Sequence, residues 1–208
     1  MNTEQSYNKW ASQYDGNLNK TRDLEAVALQ EVLSPIQFDN CLEIGAGTGK
    51  NTGWLIEKSG SVTCIDLSVE MLAKAKAKIS SDKAEFIQAD ITKEWTFQKR
   101  LYDLVTFSLM LEHIEYLDPV FDKAAAALKP GGYVYVGELH PFKQYSGSKA
   151  RFETADGLEV VDCYTHHISD FVSAAQQHGL TLITINEYFD DDNRNDIPRI
   201  LSLLFKKQ

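Results

Sequence analysis

Short β-rich runs alternate with helical runs along most of this chain, and the first β-rich run leads straight into Gly45-Ala46-Gly47-Thr48-Gly49. That order constrains the fold more than any other feature. Strands joined through helices must pair in parallel, and a parallel sheet needs helices on both faces. The β-rich runs are residues 41–44, 61–65, 84–88, 102–107 and 133–138. The fourth is apolar on both faces, as a central parallel strand should be. Helices are expected from the glycine turn to about residue 58, from Ser68 to about residue 79, from Asp118 to Leu128 and over residues 169–178. Ser68 is a suitable N-cap with Glu70 near the positive helix end; Gly179 is a suitable C-terminal stop. Two last strands, 180–187 and 199–206, are separated by too little chain for a crossover helix, so they should be antiparallel neighbours. Upstream, residues 6–14 carry Tyr7, Trp10 and Tyr14 in helical spacing. A second helix over 23–33 carries a stripe of Leu24, Val27, Ala28 and Val32 and is stopped by Pro35.

A glycine turn between a first strand and its helix has the form of a nucleotide site. Glycine lets the backbone approach a ligand closely, and ligands of open α/β sheets lie at the carboxyl ends of the strands. The spacing here is GxGxG preceded by Glu43, not GxGxxG, and such a turn alone also serves as a plain strand-to-helix connection. Two carboxylates strengthen the nucleotide reading. Asp66 ends the second strand, where a carboxylate can accept both hydroxyls of a ribose. Asp90 ends the third, where it can accept from an adenine amino group.

Five segments carry a family resemblance: Leu42-Glu43-Ile44-Gly45-Ala46-Gly47-Thr48-Gly49, Cys64-Ile65-Asp66-Leu67-Ser68, Phe86-Ile87-Gln88-Ala89-Asp90-Ile91, Tyr102-Asp103-Leu104-Val105 and Leu128-Lys129-Pro130-Gly131-Gly132. In this order, over about residues 40–140, the chain resembles the class I S-adenosylmethionine-dependent methyltransferases, in their small-molecule branch. The resemblance implies a doubly wound α/β fold, a three-layer Rossmann-like sandwich. Its seven-stranded, mostly parallel sheet would have the order 3-2-1-4-5-7-6 and an antiparallel last strand. It implies S-adenosylmethionine as cofactor and S-adenosylhomocysteine as product. It places Glu43, Gly45, Ala46 and Gly47 at the cofactor's methionine end and Asp66 on the ribose. Leu67, Met71, Asp90 and Ile91 would surround the adenine, and Ser108 would face the methyl-transfer region. The opening helix of such proteins often lies over the cofactor, which makes Tyr14 and Arg22 candidates, Arg22 for the cofactor's carboxylate. A solvated charge at a helix start is the competing reading of Arg22. The expected organisation is one methyltransferase domain over residues 1–208, with a helical lid at about 1–34 and an acceptor-side insertion at about 141–168.

Methyl transfer is an in-line displacement at carbon that needs alignment and exclusion of water more than donor activation. A base is required only where the accepting atom must lose a proton. His113 and His140 are the catalytic candidates, with His140, at the end of the fifth strand, placed first. His113 lies in Met110-Leu111-Glu112-His113-Ile114, which resembles the ExxEH cluster of quinone-biosynthesis O-methyltransferases. That cluster can hold a divalent ion. Leu109 replaces its first glutamate, so no metal is expected. The insertion is long for a connection and concentrates aromatic and basic residues. Arg151-Phe152-Glu153 and residues 158–164 read as a hairpin around Asp156-Gly157. Tyr14, His140, Tyr145, Arg151, Phe152 and His166 are the acceptor-site candidates. The aromatics could equally pack the hairpin onto the domain, and Arg151 could pair with a substrate carboxylate or with Glu153 or Asp156.

Charge and composition exclude other classes. With 30 acidic against 21 basic residues the formal net charge is −9, which disfavours nucleic-acid backbones and anionic membranes. No apolar run is long enough to span a bilayer, residues 1–20 have no apolar signal core, and the three cysteines show no metal spacing. Cytoplasmic residence is therefore expected; a small-molecule acceptor is what the resemblance implies, and a monomer or homodimer is expected. An RNA or protein methyltransferase is an alternative, although Phe107-Ser108-Leu109-Met110 stands where amino-directed nucleic-acid enzymes carry Asn-Pro-Pro-Tyr. A non-catalytic S-adenosylmethionine-binding module is another. A nicotinamide dehydrogenase is disfavoured by the GxGxG spacing, Asp90 and the antiparallel last strand.

Overall fold

The computed structural model describes residues 2–16, 18–154 and 157–208. In chain order the elements are α1 (Thr3–Trp10), α2 (Lys20–Leu33), β1 (Asn40–Ile44), α3 (Thr52–Lys58), β2 (Ser61–Asp66), α4 (Val69–Lys78), β3 (Ala84–Gln88), β4 (Tyr102–Ser108), α5 (Asp118–Ala127), β5 (Leu128–Leu139), α6 (Pro141–Tyr145), β6 (Arg151–Thr154), β7 (Gly157–Val160), α7 (Ile168–Gln177), β8 (Leu180–Tyr188) and β9 (Ile200–Lys207). Single 3₁₀ turns occupy Leu111–His113 and Asp190–Asp192. The main sheet runs β3-β2-β1-β4-β5-β9-β8. Counting only its own strands, that is 3-2-1-4-5-7-6. β9 is antiparallel to both neighbours, while β3, β2, β1, β4 and β5 pair in parallel.

Strand periodicity sorts the core into two layers. Leu42, Ile44, Val105, Phe107, Val134 and Val136 pack with Phe121 of α5 and Phe171 of α7 on one face. Cys41, Leu104 and Tyr135, one residue out of phase, pack with Leu29 and Leu33 of α2 and Leu55 of α3 on the other. A third small cluster joins α1, α4 and the β6–β7 hairpin through Trp10, Met71 and Phe152. Trp10 and Phe152 stack with ring centroids 5.1 Å apart.

Several boundaries depart from the expectations. α1 ends at Trp10 and leaves Tyr14 in the turn that follows. α2 begins at Lys20, because Asn19 caps it by accepting from the Arg22 N–H at 3.0 Å. Its buried face is Glu25, Ala28, Leu29 and Leu33, and Val27 of the expected stripe is exposed. Glu25 is drawn inward by Asn51 and Tyr135, which donate to its carboxylate at 2.9 and 3.2 Å. β5 starts at Leu128, with a register shift against β4 absorbing the Lys129-Pro130-Gly131-Gly132 break. α6 was not expected; Pro141 opens it and the His140 ring caps it. The hairpin is present but shorter in its second arm than expected, and Asp156, assigned to its turn, lies outside the described residues.

Candidate functional site

A cavity of about 370 Å³ opens at the carboxyl ends of β1, β2 and β4, within the usual range of small-molecule sites. Ile44, Gly45 and Gly47 form its floor. Asp66, Leu67 and Met71 form one wall, Asp90 and Ile91 another, and Ser108 and Met110 a third. Asn2, Glu4, Tyr7 and Tyr14 reach it from the opening helix and the turn after it. The glycine turn is tied to the end of β2, since the N–H groups of Gly45 and Ala46 both donate to the Ile65 carbonyl, at 2.8 and 3.0 Å. Gly45 has φ +75°, and a Cβ there would lie 2.7 Å from Met110 Cγ. At Gly47, φ +53°, a Cβ would meet no protein atom within 4 Å. The turn thus leaves open space beside Gly47, on the cavity side.

Asp66 is anchored by backbone. Gly47 N–H donates to Oδ2 at 2.7 Å and Ser68 N–H to Oδ1 at 2.8 Å. Burial raises its carboxyl above the ordinary value, and these N–H donors oppose the rise. Asp90 is oriented by Thr92, whose N–H and hydroxyl both donate to Oδ1, at 2.9 and 2.6 Å. Apolar Leu67, Met71 and Ile91 line the same cavity as the two carboxylates. One carboxylate for a diol, one for an amino group and apolar surface beside them fit an adenosine.

The segment after β4 is held in an unusual backbone conformation. Leu109 has φ +51°, a left-handed geometry that costs roughly 1–2 kcal/mol for a residue with a Cβ. Glu138 secures the next turn: Oε1 accepts from the N–H groups of both Met110 and Leu111, at 3.0 and 2.8 Å. Burial pushes the Glu138 carboxyl up to about 8. On this turn His113 meets the opening helix. Its Nδ1 lies 2.9 Å from the Asp162 carbonyl, which can only accept, so Nδ1 carries the proton and Nε2 the lone pair. The Tyr7 hydroxyl donates to that Nε2 at 2.7 Å. Glu112, His113 and Cys163 offer ligand atoms within 4.8 Å of one another. As arranged they do not suit a metal: both His113 nitrogens are engaged, and burial pushes the Cys163 thiol up to about 12, away from the thiolate that coordinates.

A second cavity, of about 250 Å³, adjoins the first and shares Tyr7, Tyr14 and Leu109 with it. Arg22 and Arg151 lie there. The Arg22 guanidinium donates to the Tyr14 carbonyl and sits over the Tyr14 ring, 4.7 Å from its centroid. Of the other expected site residues, Gly45, Gly47, Asp66, Leu67, Met71, Asp90, Ile91, Ser108 and His113 line the first cavity. Glu43 and Ala46 are buried beneath it. Glu43 accepts from the Thr52 hydroxyl at 2.5 Å, and burial raises its carboxyl to about 7.

His140, Tyr145, Phe152 and His166 line neither cavity. The His140 ring is fully buried; Nδ1 accepts from the Phe142 N–H at 3.2 Å and Nε2 meets Glu187 at 3.1 Å. A histidine that ends a strand is here turned aside to cap the helix that follows. The Tyr145 hydroxyl is bonded to His167 at 2.6 Å, and His166 Nε2 donates to the Ile114 carbonyl at 2.7 Å. Phe152 is spent on Trp10. Tyr7, Lys149 and Glu138 were absent from the expected site. Tyr7 left one signal, its place on the same helical face as Trp10 and Tyr14, and Glu138 another, a carboxylate beside His140 at the carboxyl end of the fifth strand; Lys149 left none, since its position depends on the insertion.

The sequence profile of a family described as a methyltransferase domain matches residues 42–136, the stretch that builds the glycine turn, both aspartates and β4. A ubiquinone biosynthesis O-methyltransferase of Hydrogenovibrio crunogenus is 30% identical, aligning with 80% of this chain and 72% of its own length. The methyltransferase AN0656 of Emericella nidulans is 24% identical over 89% of this chain and 78% of its own. Among solved structures, the N-methyltransferase NodS of Bradyrhizobium japonicum, in complex with S-adenosylhomocysteine, superposes with a TM-score of 0.73 at 19% identity, covering 100% of this chain and 99% of its own. The chain belongs to the class I S-adenosylmethionine-dependent methyltransferases, in the branch that acts on small molecules. It is an enzyme of that class and its cofactor is S-adenosylmethionine. Among the described residues no helix is long and apolar enough to cross a membrane.

Proposed function

We propose that the first cavity holds S-adenosylmethionine, that the second admits the acceptor, and that an oxygen or nitrogen atom of a small organic molecule is methylated where the two meet. The observation that carries this reading is the shared wall of Tyr7, Tyr14 and Leu109. Two adjoining chambers with a common wall support this reading, since an in-line displacement needs the acceptor aligned with the methyl group. When bound, the cofactor supplies a methyl group on a cationic sulfur, so the acceptor's lone pair forms the new bond while the carbon–sulfur bond breaks and its electrons return to sulfur.

The chain's own residues bind and align. Asp66 accepts the ribose hydroxyls, and Asp90 accepts the adenine amino group with the oxygen that Thr92 does not use. Leu67, Met71 and Ile91 cover the adenine faces. Gly45, Ala46, Gly47 and Ser108 present backbone and hydroxyl to the methionine end, with Arg22 and Tyr14 closing on its carboxylate. Glu43 acts from below, holding Thr52 at the start of α3. The opening helix excludes water by laying Tyr7 across the junction.

Where the accepting atom carries a proton, Tyr7 and His113 can take it. The acceptor's proton passes to the Tyr7 oxygen as the phenol's own proton passes to His113 Nε2. Burial holds the phenol well above its ordinary range, which keeps it protonated and able to do this. The names of the relatives, one an O-methyltransferase and one an N-methyltransferase, support leaving both kinds of acceptor atom in the reading. The test is calorimetric titration with S-adenosylhomocysteine and S-adenosylmethionine, with NAD as control. Saturable binding of the adenosyl ligands alone is expected; its absence would end the assignment of the first cavity.

A further inference from the structure

The second cavity has a charge that contradicts the chain around it. The protein carries nine more acidic than basic residues. Yet Arg22, Lys149, Arg151 and Arg199 line this one space against the single carboxylate of Glu112. We propose that the acceptor is a small organic acid, held by its anionic end at Lys149 and Arg151 with its body against Tyr7, Trp10 and Tyr14. This deepens the reading of the second cavity as the acceptor chamber and rests on it.

The four cations are not equivalent. Arg199 is committed to Asp190, to which its Nε and Nη2 both donate, and its Nη1 donates to Thr21 at 3.0 Å. Arg22 is drawn onto Tyr14, donating to its carbonyl and lying over its ring. Lys149 and Arg151 differ: among the described residues neither stands in an ion pair. They flank Ala150, whose carbonyl accepts the Val161 N–H at 2.9 Å and so fixes this segment to the hairpin. Residues two apart in an extended segment project to the same side, and both reach the cavity while remaining exposed to solvent.

A lysine and an arginine side by side at the mouth of a cavity match a carboxylate or a phosphorus oxyanion. A second observation agrees. Trp10 lines the cavity, is 8% exposed, and its indole Nε1–H has no hydrogen-bond partner among the described residues. A buried donor left over by the fold calls for an acceptor atom, which an oxyacid supplies and an ammonium does not. The aromatic walls suit an apolar body. A protonated amine would meet two repulsive side chains at the entrance.

The test uses the full chain saturated with S-adenosylhomocysteine, titrated calorimetrically with phenylacetate, phenylphosphonate, phenylacetamide and phenethylammonium. The two anions are expected to bind at least about tenfold more tightly than the amide and the amine, a preference of one decade in Kd. K149Q/R151Q should abolish that preference and leave S-adenosylhomocysteine affinity unchanged, which also reports that the variant is folded. The more favoured anion identifies the oxyanion as carboxyl or phosphoryl. Absence of an anion preference, or its survival in K149Q/R151Q, would overturn the proposal. Failure to bind S-adenosylhomocysteine would instead strike the assignment of the first cavity, and the two failures are read in separate titrations.

Discussion

Replacing Asp66 by Asn tests the cofactor cavity most directly, because the substitution preserves shape and changes only charge and donor pattern. Each carboxylate oxygen of Asp66 now accepts from one backbone N–H, Gly47 at 2.7 Å and Ser68 at 2.8 Å. An amide offers one acceptor oxygen and one NH₂. One of those N–H groups must therefore face a donor, and leaving a buried group unpaired costs about 1–3 kcal/mol. For a protein of this length each kilocalorie lowers Tm by roughly 2–4 °C, so unliganded Asp66→Asn should melt between about 2 and 12 °C below the parent. The ligand loses separately: one of two ribose hydroxyls gives up a hydrogen bond to a charged oxygen, about 1.5–3 kcal/mol. At 1.4 kcal/mol per decade this weakens S-adenosylhomocysteine binding by roughly 10- to 150-fold. The measurement is calorimetric affinity alongside the melting curve without ligand. An affinity within twofold of the parent would refute the ribose assignment, whatever the melting curve does.

Tyr7→Phe removes the hydroxyl from His113 while leaving the aromatic packing, so turnover of a proton-bearing acceptor should fall by about tenfold or more with S-adenosylhomocysteine affinity unchanged; equal loss of both would make Tyr7 a binding residue. His140→Ala should lower stability by about 1–2 kcal/mol through loss of the α6 cap and leave turnover per folded molecule intact; lost turnover at full stability would return His140 to the acceptor site. Glu138, Glu25 and Glu43 have folded-state carboxyls at about 8, 7 and 7 against an ordinary value near 4.5. Between those limits the unfolded chain releases protons that the native protein keeps. Their contribution to stability therefore falls as pH rises, by about 1.4 kcal/mol per pH unit for each group. Glu138→Gln keeps an Oε1 for Met110 and Leu111 but cannot ionise. Urea unfolding at pH 5.5 and pH 8 should show a smaller loss of stability in the variant than in the parent, and an equal loss would show that burial does not hold the Glu138 carboxyl above its unfolded value in this range.

The glycine turn and its two aspartates were legible because each sits at the end of a strand whose position the alternation of elements already implies. In a parallel sheet all such ends face one side, so Gly45, Asp66 and Asp90 had to converge. Ser68 as a cap and Gly179 as a stop were legible for a local reason: the groups they satisfy lie within a few residues of them. His140 illustrates the opposite case. At the end of β5 it was equally entitled to face the cavity, but the helix that follows needed a cap and Glu187 of β8 lay within reach, a contact across 47 residues of sequence. Phe152 was likewise claimed by Trp10 from the other end of the chain.

What this sequence determined by itself is therefore the class of sheet, the antiparallel pairing of its last two strands and the meeting of the glycine turn with Asp66 and Asp90, because period, caps and turn chemistry act over a few residues and leave a pattern in them; the full strand order came with the family resemblance. The tertiary structure alone decided the second cavity. Tyr7 met His113 and Lys149 and Arg151 came to face Trp10 only when α1 and the insertion closed over the strand ends from opposite parts of the chain. Contacts between segments so far apart are chosen by packing and by the pairing of buried polar groups, and nothing in the local pattern of either segment records them.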